Sequence, residues 1–154
     1  MILVPARVAP SGIHGNGLFA LASIAQGTPI WRFLPGFDQA FSPEAWAALP
    51  EPALSHTRHF CFVRRGDLHV VLSGDHACFI NHSEHPNTGL PHPPDRTLHG
   101  GGPSGEASSA VTTVALRPIA AGEEITCNYW NYDADTPWKL GRVPRHAPLG
   151  ACPP

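Results

Sequence analysis

The chain has 154 residues, enough for one hydrophobic core and too few for two comfortable domains. Only 14 % of residues are charged and the formal net charge is -2, so the basic footprint of a nucleic-acid binder is missing. Eighteen prolines and fifteen glycines demand short elements and many turns, which favours a mainly β fold over a helical bundle.

No apolar run is long enough to span a membrane. Met1 to Pro10 starts apolar but has no basic leader or cleavage-like site, so it is predicted as a strand and not a signal peptide. In detail, the strand covers Ile2 to Val8. Ser11 to Gly17 follows as a Gly-rich loop, then Leu18-Phe19-Ala20 and Pro29 to Phe33 as two short strands. Ser42-Pro43-Glu44-Ala45-Trp46-Ala47-Ala48-Leu49 predicts a helix. Ser42 caps it, Pro43 suits its first position, and Glu44 faces the positive end of the dipole. Pro50 and Pro52 are expected to stop it, with Trp46 buried.

Phe60–Val63 and Leu68–Leu72 flank Arg64-Arg65-Gly66-Asp67 as a hairpin. His76 to Ile80 is a strand-like approach to Asn81-His82-Ser83. The stretch from Leu90 to Ala110 has no apolar period and is expected to be a surface loop. Val111–Leu116 and Glu124–Tyr129 are two more strands, and the tail from Thr136 is irregular. Cys61, Cys78, Cys127 and Cys152 form no C-x-x-C. Buried free thiols in a reducing compartment, and hence a cytoplasmic location, are the expectation.

One segment repeats. Ala20 to Ile30 matches Ala115 to Ile125 at six of eleven positions, each copy placing Gly after a turn. Two hairpin-like units packed with pseudo-symmetry are predicted, with a shared turn solution as the alternative.

Several residues have the chemistry of a site. Gly15-x-Gly17 lets backbone approach a ligand, though a plain turn reads the same way. Asn81 offers a donor and an acceptor for a small polar ligand, and His82 adds another polar edge. The alternative is a turn closing a strand end by local bonds. Tyr129 ends its strand as a rim aromatic, or as a hydroxyl aimed into a pocket. Trp130 and Trp138 line a pocket or pack in the core. Glu123, Glu124, Asp133 and Asp135 attract a basic segment or form a solvated acidic rim. Ten histidines raise the idea of a metal-handling protein, yet their spacing fits no common zinc pattern, so no metal is expected.

Three motifs occur in order: Gly15-Asn16-Gly17-Leu18-Phe19-Ala20, then Phe79-Ile80-Asn81-His82-Ser83 with Pro86-Asn87, then Gly122-Glu123-Glu124-Ile125-Thr126 with Tyr129. Together they resemble the signature motifs of SET-domain protein lysine methyltransferases, specifically a small stand-alone bacterial-type SET protein. The resemblance implies a β-clip of short strands in several small sheets, one or two short helices, and a knot-like C-terminal crossing. It sets a SET-like domain at 1–135, followed by an irregular Pro-rich tail at 136–154 positioned to cover the active site.

The resemblance also implies the activity, methyl transfer from S-adenosylmethionine to a lysine of a protein or peptide, with no direct nucleic-acid or membrane partner. Asn16, Gly17, Leu18, Asn81, His82, Tyr129 and Trp138 would hold S-adenosylmethionine. Tyr129 would be the catalytic tyrosine, and Phe33, Trp130 and Tyr132 would line the substrate channel. The chain departs from the family at Glu84, often Cys, at Asn16, usually basic, at Phe33, commonly Tyr, and at Arg32, whose counterpart is acidic. The cysteine cluster that follows the domain in many members has only Cys152 here. A non-catalytic SET-like module that binds a peptide or partner is the alternative function.

Overall fold

The computed structural model describes residues 1–91 and 112–142. Among these residues, ten short strands form three small sheets. The first has the order β1 (Ala6–Pro10), β2 (Asn16–Ala20), β10 (Glu124–Cys127), β7 (Asn81–His82). In the second, β9 (Thr112–Ala115) lies between β3 (Pro29–Arg32) and β8 (Thr88–Gly89). The third places β6 (Val70–Leu72) between β4 (Gln39–Phe41) and β5 (Phe62–Val63).

The helix predicted after Ser42 is α1 (Pro43–Ala47), and Ser42 Oγ accepts from Ala45 N–H at 3.2 Å. α1 stops before Pro50, as expected, but the helical region does not end with it. Pro50 and Pro52 have a second role. They open a second helix, α2 (Glu51–Phe60), because proline fits a first turn whose N–H groups have no partner anyway. Trp46 is buried, and its indole N–H reaches Thr57 Oγ1 of α2 at 2.8 Å. His76–Phe79 is a 3-10 helix rather than a strand, nucleated by Asp75, whose Oδ1 accepts from Ala77 N–H. The tail is not irregular at its start: α3 (Thr136–Lys139) forms one turn. Most of the expected 90–110 loop, and the tail beyond 142, lie outside the described residues.

The internal repeat is a structural near-dyad. Ile24 and Ile119, equivalent in the two copies, bond each other's backbone at 2.8 and 2.9 Å. Around this pair, Gly122 N–H donates to Ala20 O and Gly27 N–H to Ala115 O, both at 2.8 Å. Ala20 N–H to Glu123 O and Ala115 N–H to Thr28 O complete the set at 3.0 and 2.9 Å. Both glycines sit at positive φ, 80° and 82°, which a side chain would strain. Ile30 and Ile125, the matching last positions, are fully buried in the main core with Leu18, Ala20, Ile24, Ala115 and Ile119. A smaller core holds Trp46, Cys61, Val63 and Val70 under the third sheet.

Candidate functional site

The first sheet brings the three motifs together. β10 is antiparallel to β2, with Ile125 opposite Leu18, and parallel to β7, with Thr126 opposite Asn81 and Cys127 opposite His82. Asn87 locks this arrangement. It is 1 % exposed, donates from Nδ2 to Glu124 O at 2.8 Å, and accepts at Oδ1 from Thr126 N–H at 2.8 Å. A side-chain amide thus acts as a strand edge where the chain has turned away.

Asn81 is buried and ties the Gly-rich loop to β10. Its Nδ2 lies 3.2 Å from His14 O, 3.0 Å from Asn16 O and 2.8 Å from Glu124 Oε1. Ser11 Oγ lies 2.9 Å from both Glu124 carboxylate oxygens. Gly17 makes room for this cluster, since a Cβ there would fall 2.2 Å from Glu124 Oε1. Asn16 is exposed at the loop's end. Leu18 is buried, with its strand paired on both sides, to Val8 and Ile125.

His82 accepts at Nδ1 from Tyr129 N–H at 3.2 Å, so the ring carries its proton on Nε2 when neutral. Burial lowers its pKa from 6.5, against the pull of Glu84. Its ring lies 5.3 Å from that of Tyr129. Tyr129 begins a 3-10 turn, Tyr129–Asn131, rather than ending the strand, and this re-aims its side chain. The phenol O–H donates to Ile80 O at 2.9 Å. Burial raises its pKa well above the usual tyrosine value, with the neighbouring Cys127 adding to the effect. Tyr132 behaves alike, packed edge-on against Phe62 and Tyr129, with its hydroxyl 3.0 Å from Cys127 Sγ.

Tyr129 also lines a cavity of about 120 Å³, together with Trp31, Phe62, Cys127, Tyr132 and Lys139 among others. Tyr132 lines this cavity, while Phe33, Trp130 and Trp138 are not among its lining residues. Trp31, two residues before Phe33, takes its wall; a strand's alternation sends both side chains to one face, but β3 ends at Arg32 and Phe33 leaves the sheet. Trp130 instead stacks under Arg142, whose guanidinium carbon is 5.1 Å from the ring centre. Trp138 is half-buried on α3. Trp31 Nε1 and Thr113 Oγ1, from two residues of the cavity wall, are buried with no partner among the described residues.

The acidic group is neither a solvated rim nor a common surface. Asp133 is 1 % exposed and accepts from Val63 N–H and Asp135 N–H, both at 3.0 Å. Glu123 pairs with Arg117 at 2.7 Å, which lowers its pKa. Among the described residues no group of three or more His, Cys, Asp or Glu side chains is placed to hold a metal ion.

Comparison with solved structures gives the fold. A humanized mutant of the Chaetomium thermophilum Polycomb Repressive Complex 2, bound to the inhibitor GSK343, aligns over 90 % of this chain at TM-score 0.58 and 19 % identity. The structure described as ctPRC2 in an autoinhibited conformation bound to S-adenosylmethionine gives 0.58 over 90 % at 17 % identity. This chain spans only 16 % of the length of each. No curated protein matches the chain. The SET domain profile matches residues 15–130, and the chain belongs to the SET-domain family, the methyltransferase family whose members use S-adenosylmethionine.

Proposed function

We propose that this chain transfers a methyl group from S-adenosylmethionine to a lysine side chain of a protein or peptide, in the cytoplasm. The observation that carries the reading is the position of Tyr129, which touches His82 and Ile80 O and also lines the cavity. The cofactor fits the side of His82 and the Gly-rich loop. The Asn81 amide donates toward His14 O, Asn16 O and Glu124 Oε1 within 3.2 Å, which fixes the Gly-rich loop backbone against which the cofactor's amino-acid part would lie. His82 contributes an Nε2–H donor. Asn16, Gly17 and Leu18 belong to the supporting loop and strand, and Trp138, on α3, is carried over from the family resemblance alone.

Bound S-adenosylmethionine supplies a methyl on a positively charged sulfur, open to direct displacement. The chain's own residues then have to align a neutral amine with it. A free lysine has a pKa of roughly 10.4, so desolvation and a nearby cation must favour loss of its proton. Tyr129 keeps its own proton across the working range, so it orients through its hydroxyl and ring and is not the base. The unpartnered Trp31 and Thr113 atoms beside the cavity suit polar groups of an entering peptide. Tyr132 walls the same channel.

Calorimetric titration of S-adenosylmethionine, with Asn81→Ala alongside, tests this. Saturable one-site binding that the substitution weakens is expected. Absence of heat and of any thermal shift at millimolar cofactor would overturn the reading in favour of a non-catalytic SET-like binding module.

A further inference from the structure

Lys139 is the chain's single lysine, and its side chain is 16 % exposed. α3 folds it into the wall of the cavity beside Tyr129. There Nζ donates to Cys61 O at 2.5 Å and to Asp133 Oδ2 at 2.6 Å, and lies 5.7 Å from the Tyr129 ring centre. A carboxylate, a carbonyl and an aromatic ring thus converge on one ammonium, which are the three groups that recognise a primary alkylammonium. Asp133 is fixed for this. Two backbone N–H groups hold Oδ1, leaving Oδ2 to the cation.

We infer that this position is an alkylammonium subsite whose resting occupant is Lys139, and that a lysine from outside enters by displacing it. The outside ligand's identity as a substrate lysine rests on the methyltransferase reading; the subsite does not. Two ammonium groups cannot share one carboxylate at this range in a poorly solvated cavity without strong repulsion. Occupation by Lys139 therefore lowers affinity for every outside lysine. A single turn of helix carries it, so withdrawal requires no rearrangement of the sheets.

The probe is n-butylammonium chloride, titrated calorimetrically into the wild-type chain, K139A and K139A/D133N, each shown folded by circular dichroism. K139A is expected to bind one equivalent at least tenfold more tightly than wild type, the double variant to lose that gain, and n-butanol to bind none of them. Equal responses of wild type and K139A, binding that survives D133N, or equal binding of n-butanol would overturn the inference. Should K139A not fold, K139Q keeps a donor toward Asp133 without the charge, and a gap in the same direction is expected; its absence overturns the inference too. S-adenosylmethionine titrated into the same samples separates the two readings. Lost cofactor binding with an intact n-butylammonium gap sinks the methyltransferase reading alone. The converse sinks the subsite alone.

Discussion

Gly17→Ala is a one-carbon change with a calculable effect. The new Cβ would lie 2.2 Å from Glu124 Oε1 and 2.6 Å from its carboxyl carbon, so the carboxylate must swing away. Backbone strain plays no part, since Gly17 is not among the positive-φ glycines. The swing itself is cheap because a glutamate tip is flexible. What is lost is its hydrogen bonding, from Ser11 Oγ at 2.9 Å and Asn81 Nδ2 at 2.8 Å. Bonds to a charged acceptor contribute about 1.5–3 kcal/mol each, and two partly solvated ones at the low end give about 3 kcal/mol. Urea unfolding of Gly17→Ala, Glu124→Ala and the double variant measures this. In the Glu124→Ala background the collision is gone, so Gly17→Ala should cost under about 1 kcal/mol there. Equal cost in both backgrounds would refute the steric account. The single variant should also weaken S-adenosylmethionine binding, because Asn81 loses a restraint on the loop carbonyls.

Tyr129→Phe should keep cofactor affinity within several-fold, lower methyl transfer, and cost about 1 kcal/mol of stability through the lost bond to Ile80 O; unchanged transfer would remove Tyr129 from its role. His82 has a folded pKa below 6.5, so the unfolded chain takes up the proton first as pH falls. Its contribution is complete above that value and is lost as pH drops toward the lowered folded pKa, when Nδ1 can no longer accept from Tyr129 N–H. Unfolding free energies measured between about pH 7 and pH 5 should flatten in His82→Gln; an unchanged slope would exclude His82 as its source. Burial pushes the Cys61 and Cys127 thiols up to about 12. Iodoacetamide at about pH 8 should spare both in the native chain and label both in urea, whereas prompt native labelling of Cys127 would show that its packing opens.

Strands and motifs were legible wherever local pattern and tertiary need agreed. Leu18–Ala20, Pro29 onward and the two sides of the Arg64–Asp67 turn all form where apolar alternation and turn residues place them. The repeat of Ala20–Ile30 in Ala115–Ile125 announced a symmetry that backbone bonds then realise atom for atom. Pro50 and Pro52 stopped α1 as read, but their second role, opening α2, was missed because proline suits a first helical turn as well as a helix end. Asn87 stood out only as a motif residue, since nothing local says that its amide will face Thr126 from 39 positions away. The cavity was the least visible. Trp31, Asp133 and Lys139 belong to no motif, and only long-range bonds, from Val63 N–H to Asp133 and from Lys139 to Cys61 O, bring the last two to the cavity. The signal available was the solitary lysine.

The order of the first sheet has a consequence for synthesis. β2 lies near the start of the chain and its inner neighbour β10 near the end, about a hundred residues later. On the ribosome, β1 and β2 emerge as a hairpin whose inner edge has no partner until Glu124–Cys127 is made. At about 5–20 residues per second, that edge and the apolar face of Leu18 and Ala20 wait for many seconds. A message cut short before residue 124 yields a product with an open sheet edge and a core lacking Ile125, prone to stick to its own kind.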